Sequence, residues 1–197
     1  MDAKRFVSGL GALLERDNAP LPDVGKSAMW TGFMLDKIVD LAEANSMHVC
    51  ASRLGRTHDP RRHMSREYLF DLTIYDADRW KMEWSLPNVI VEHENAWNEG
   101  AFLADFWKLQ LGFAPLRVMI GYAQHKAAVD ALAKTVVEVA RTSRWTQPDG
   151  TEDLVLLRCP VAWGRAEGMP WPRWRIVYRN LNEWRDLGER ELVGTTL

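Results

Sequence analysis

Three acidic residues offer the first chemistry in this sequence. Asp71 stands in the run EYLFDLTIY, and Glu92 and Glu94 stand in LPNVIVEHE. Side chains alternate along a strand, so Glu92 and Glu94 share a face about 7 Å apart along the backbone, with His93 pointing the other way. A short turn region between the two runs brings Asp71, in the middle of its strand, alongside. Three solvent-accessible carboxylates on one patch of sheet repel one another and raise at least one pKa. A bound cation removes that penalty. Mg²⁺ suits the site because it takes oxygen ligands and needs only one or two carboxylates beside its waters, and Mn²⁺ can substitute for it. Taken singly, each acid can instead face water on the open side of a half-covered sheet. Against that, Glu92 and Glu94 end an apolar run that reads as buried on both faces, and α/β sheets favour strand ends for their sites.

The elements that must position these acids follow from periodicity. After a break at Pro20 and Pro22, residues 27–45 read as a helix whose stripe is Trp30, Met34, Ile38 and Leu41. Asp36, Asp40 and Glu43 share its opposite face, where water accounts for them. Residues 47–52, 67–75, 86–94 and 116–122 read as strands, the last nearly continuous in apolar residues as for a buried strand. Residues 97–111 and 126–144 read as helices, the first lined by Phe102, Phe106 and Leu109 and ended by Gly112. Residues 153–159 and 175–181 read as further strands. This order predicts an α/β fold with a central mixed β-sheet flanked by helices.

With 197 residues and no linker, repeat or low-complexity tract, the chain reads as one domain over 1–197. No apolar run approaches the roughly 20 residues a membrane-spanning helix needs. Lys4 and Arg5 before an apolar stretch imitate a signal peptide. However, Phe6, Leu10, Leu13 and Leu14 follow helical spacing and no cleavage site comes next, so the expected location is the cytoplasm and no membrane partner is expected. Cys50 and Cys159 stand apart in apolar sequence and read as buried inert thiols. A net charge of −2 gives no global attraction to nucleic acid, so any such binding falls to a local basic surface.

In its motifs and element order the chain resembles the PD-(D/E)XK nuclease superfamily, the restriction-endonuclease-like proteins. Asp71 in LFDLTIY matches that family's first acid, Glu92 in VIVEHEN matches the second, and residues 116–122 match the strand after the helix. The resemblance covers about residues 27–144 and implies a restriction-endonuclease-like αβββαβ core, with the terminal helix and strands added to it. It further implies a Mg²⁺-dependent nuclease acting on nucleic acid, DNA before RNA, and it admits a homodimer. Asp71, Glu92 and Glu94 would then be metal ligands and catalytic groups. The chain departs from the motif at two positions. Phe70 replaces a proline that the family often lacks, and Glu94 occupies the lysine position. Some members resemble this chain in carrying Glu-x-Glu there, and others supply the lysine from the next helix. Lys108 in DFWKLQ is the candidate for that role, against the plainer reading of a surface ion pair with Asp105 three residues before it. The missing lysine and the near-neutral charge keep a second class open, a nuclease-like fold serving as a non-catalytic binding or interaction module.

Two further signals bear on partners. Arg53, Arg56, Arg61, Arg62 and Arg66 precede the strand of Asp71, and guanidinium matches phosphate oxygens bidentately. The alternative is a solvated charge run. His58 and His63 in the same loop lack the third soft ligand that a zinc site needs. Among ten tryptophans, Trp163, Trp171, Trp174 and Trp184 interleave with Arg165, Arg173, Arg175 and Arg185. They form either a base-stacking or partner surface, or tryptophans capping the core with arginines stacked on them. No Gly-x-Ser-x-Gly elbow, phosphate-binding glycine loop or dinucleotide fingerprint occurs. If the arginine loop grips phosphates, replacing Arg61 and Arg62 by Ala should lower the slope of log K against log salt by roughly one for each phosphate left unneutralised. Filter binding over a salt series checks this, and an unchanged slope assigns the loop to the solvated-charge reading.

Overall fold

The structure, a computed structural model, describes residues 1–16, 27–51, 69–76, 86–95, 98–142, 150–159, 174–180 and 183–197. Among these described residues, four helices and seven strands follow in the order α1 (Ala3–Arg16), α2 (Ser27–Ala44), β1 (Met47–Ala51), β2 (Leu72–Asp76), β3 (Val89–Glu94), α3 (Glu99–Leu111), β4 (Leu116–Tyr122), α4 (Lys126–Thr142), β5 (Glu152–Arg158), β6 (Trp174–Asn180) and β7 (Glu183–Arg190). The strands form one sheet in sequence order. β1, β2 and β3 are antiparallel, β3, β4 and β5 are parallel, and β5, β6 and β7 are antiparallel again. The fold is therefore mixed α/β. Parallel neighbours require crossovers, and α3 and α4 provide them.

Both crossover helices lie on one face of the sheet. There Phe102, Phe106 and Leu109 of α3 and Val129, Leu132, Ala133 and Val136 of α4 pack against Ile90, Met119, Val155, Leu157 and Val177. On the other face, α1 and α2 cover Val89, Val91, Val118, Ile120, Leu154 and Leu156. The expected stripes hold: Trp30, Met34, Ile38 and Leu41 are buried, as are Phe6, Leu10 and Leu14, and β4 is buried along its whole length. Among the described residues, no helix is long and apolar enough to cross a membrane.

Some boundaries differ from the sequence reading for identifiable reasons. Asp71 does not lie mid-strand; it sits in a bend immediately before β2. β3 starts at Val89 because Pro87 has no N–H to give a ladder, and pairing is taken up by the Asn88 N–H, which donates to the Ile74 carbonyl at 2.7 Å. Asn98 caps α3, its side chain accepting from the Gly100 N–H at 2.8 Å, so the helix begins at Glu99. β7 has no counterpart in the sequence reading. Its EWRDLGER is a charged edge strand, which carries no apolar alternation because one side of it meets water. Cys50 is buried as expected, whereas Cys159 is only half-buried, its thiol reaching the Gln124 carbonyl at 3.3 Å.

Charges within apolar strands are resolved by a buried network on the α3/α4 face. Arg117 donates to Asp153 at 2.6 and 3.0 Å and to the Gln110 carbonyl at 3.1 Å, and Arg179 donates to the same Asp153 carboxylate. Adjacent registers put the three residues side by side, Arg117 opposite Asp153 and Asp153 opposite Arg179. Removing the shared acid leaves two guanidinium groups in a dry interior. Asp153→Ala should therefore cost about 3–5 kcal/mol of stability, measured by urea denaturation. A loss below about 1 kcal/mol, the range of surface pairs, contradicts this account.

Candidate functional site

Of the three acids predicted from the sequence, Asp71 and Glu92 come together where β2 turns in beside β3, under α3. The Asp71 carboxylate accepts the His93 backbone N–H at 3.0 Å, which continues the β2–β3 pairing with a side chain in place of a strand carbonyl. Asp71 is thereby held against the segment that carries Glu92, and its charge acts on Glu92. Glu92 is not solvent-accessible as expected: it is only 1 % exposed, beneath α3. Glu94, one pleat further on the same face, is half-buried and opposite Gly121 of β4.

Lys108 closes the site from above. Its Nζ lies 2.8 Å from Glu92 Oε1 and 3.3 Å from Asp105 Oδ1. The surface-pair reading of Lys108 and Asp105 is thus only half of the arrangement, since the same ammonium reaches the buried acid as well. The approach depends on Gly121. A Cβ there would stand 2.3 Å from Phe102 Cε2, so the absence of a side chain lets α3 lie close enough to the sheet for Lys108 to reach down to Glu92.

The electrostatics follow from depth. Burial pushes the Glu92 pKa up to about 8, against the opposing hydrogen bond from Lys108, and the charges of Asp71 and Asp105 raise it further. Repulsion among acids, the cause expected from the sequence, is subsidiary to desolvation. Partial burial works against the Lys108 ammonium, but Glu92 and Asp105 outweigh it and hold its pKa above the ordinary value. On the opposite face of β3, His93 Nε2 shares a 3.0 Å hydrogen bond with the Tyr122 hydroxyl, and burial lowers the imidazole pKa to about 3. His93 is therefore a neutral core group.

Among the described residues, no group of three or more His, Cys, Asp or Glu side chains is arranged to hold a metal ion. What β2 and β3 bring together is the pair Asp71 and Glu92, hard oxygen donors of the kind Mg²⁺ uses one or two at a time. The loop holding Arg53, Arg56, Arg61, Arg62 and Arg66 lies outside the described residues, as do His58, His63, Trp163, Arg165, Trp171 and Arg173. Trp174 and Trp184 are buried. Trp174 carries the Arg158 guanidinium 5.3 Å above its ring and Trp184 carries that of Arg179 at 5.9 Å, which is the core-capping arrangement. Arg175 instead pairs with Asp130 and Asp186. A crevice of about 180 Å³ opens at the C-terminal end of β4, lined by Asn98, Glu99, Gln124, His125 and Ala128 among others. Sequence reasoning named Asp105 only as a surface partner of Lys108 and missed the Arg117–Asp153–Arg179 network. The signal for the latter was there, as single charges inside the apolar runs LRVMIGY, EDLVLLR and WRIVYRN.

No protein-family model matches this chain, and neither a curated protein nor a solved structure does.

Because the Glu92 pKa of about 8 in the folded protein lies above its ordinary 4.5, the folded state keeps a proton that the unfolded chain has lost. Stability from this group is full below about pH 4.5 and is lost as pH rises towards about 8. Glu92→Gln, neutral throughout, should stabilise the protein in chelator progressively across that window, by up to about 1.4 kcal/mol per pH unit, and level off above it. Urea denaturation of both proteins over the window checks this. A difference that does not change with pH contradicts the buried-acid description.

Proposed function

We propose that this chain is a metal-dependent phosphodiesterase acting on nucleic acid, DNA in preference to RNA, with a core of the PD-(D/E)XK type in one domain of the cytoplasm. The observation that supports this reading most is the position of Lys108. The motif's lysine is replaced by Glu94, and an ammonium from the following helix stands 2.8 Å from Glu92 instead. A mixed sheet with β1–β2–β3 antiparallel, α3 crossing over and β4 parallel to β3 is also the element order that the αβββαβ core requires.

Asp71 and Glu92 would hold the divalent cation, Mg²⁺ or in its place Mn²⁺, with water completing its shell. When bound, such an ion polarises the scissile phosphate and lowers the pKa of an attacking water. Glu94, on the same face as Glu92 and closer to the strand end, would orient that water or take its proton. Lys108 would stabilise the negative charge developing on the phosphate oxygens. The His93 N–H fixes the Asp71 carboxylate against β3, so the two acids keep their spacing as substrate binds.

One observation favours a second reading, a non-catalytic nucleic-acid or protein-interaction module on the same fold. Glu92 is buried and already paired with the Lys108 ammonium, so a cation stands on it without any metal. Incubation with duplex DNA, single-stranded DNA and RNA in Mg²⁺ and in Mn²⁺ separates the two. Cleavage should occur on at least one substrate, be abolished by Asp71→Ala or Glu92→Ala, and fall about 10²–10³-fold in Lys108→Ala. Wild-type protein that cleaves none of them in either metal leaves the module reading standing.

A further inference from the structure

Lys108 touches two carboxylates at once, and they differ in kind. Glu92, at 2.8 Å, is buried to 1 % exposure in the sheet, whereas Asp105, at 3.3 Å, is about one-quarter exposed one turn away on the lysine's own helix. The lysine side chain is itself about one-third exposed, so its ammonium sits at the boundary between the buried acid and solvent. An ammonium is a compact charge on a flexible stem, able to change partners without moving the backbone. A buried carboxylate, by contrast, cannot stay ionised without a cation beside it. Two cations on one buried carboxylate repel strongly, because the low dielectric that strengthens each attraction strengthens their mutual repulsion equally.

Resting on the reading of Glu92 as a metal ligand, we propose that Lys108 has two seats. It occupies Glu92 as a stand-in cation when the site holds no metal, and it moves to Asp105 when a divalent ion takes Glu92. Asp105 is then a positioning residue. It receives the displaced ammonium, keeps it one turn above the sheet beside the metal, and lowers the cost of opening the site. Lys108 thereby sets the metal affinity as well as serving the phosphate. Where Glu92 has given up its proton, the arrangement spares the metal-free protein an unpaired buried carboxylate, and metal binding there exchanges one cation for another.

Calorimetric titration with Mn²⁺, without substrate, tests this on four folded proteins: wild type, Lys108→Met, Asp105→Asn and the double variant, with thermal melts confirming each fold. Lys108→Met should bind Mn²⁺ roughly tenfold more tightly than wild type, because nothing has to be displaced. Asp105→Asn should bind it more weakly than wild type, and the double variant should match Lys108→Met, because Asp105 acts only through the lysine. A Lys108→Met affinity equal to or weaker than wild type overturns the proposal. So does an Asp105→Asn weakening of the same size in both backgrounds, which is what general attraction between Asp105 and the metal produces. If Lys108→Met does not fold, Lys108→Gln takes its place in the cycle. Absence of Mn²⁺ binding to any of the proteins overturns the metal reading itself, and this proposal with it.

Discussion

A carboxylic acid placed under a helix, in the interior of a sheet, is the constraint around which this site is arranged. Glu92 can be tolerated there only if it is protonated or if a cation reaches it, because an isolated buried carboxylate is far too costly. Both conditions are visible, in the elevated pKa and in the ammonium of Lys108 at 2.8 Å. The requirement propagates outward. Lys108 reaches Glu92 only because α3 lies close on the sheet, and α3 lies close only because Phe102 rests where Gly121 has no side chain. The capping of α3 by Asn98 sets where the helix begins, and hence which turn places Asp105 and Lys108 over the strand.

β3 itself carries two different solutions to the burial of a titratable group. On the α3 side Glu92 keeps a cationic partner, Lys108. On the α1/α2 side His93 is fixed as a neutral imidazole, hydrogen-bonded to Tyr122, whose own pKa burial pushes well above the ordinary phenol range. Successive residues on one strand thus become, by alternation alone, an acid paired with an ammonium and a neutral core imidazole.

The Arg117–Asp153–Arg179 network shows the same physics used for structure. There one acid is shared by two guanidinium groups with several donors in good geometry, so its charge is fully met in a closed interior. Around Glu92 the balance is reversed: two acids share one flexible ammonium, and the charge of a third, Asp71, acts on Glu92 from β2. The Glu92 cluster is left with surplus negative charge, whereas rigid arginines balance Asp153.

Much of the framework was legible from residue order. The stripe of α2, the unbroken apolar run of β4 and the alternation that separates Glu92 from His93 are local patterns, and local patterns decide which face a side chain takes. The pairing of Asp71 with the β3 segment was also within reach, because two strong strands joined by a short segment tend to be neighbours. Other features were not local. Sequence could not say that Glu92 would lie beneath a helix instead of in water, since its depth depends on how closely α3 packs, and that depends on how residues 102 and 121, in different elements, meet. Nor could it choose between the two readings of Lys108, because helical spacing names Asp105 as a neighbour but is silent about the strand below. β7 escaped for the opposite reason: its charged sequence is dictated by an edge facing water, and only the hydrogen bonds of β6 make it a strand. Residue types and spacing determined which groups could do chemistry. The tertiary structure decided which of them lost their water, and desolvation is what turns an ordinary glutamate into one that must share a proton or a cation.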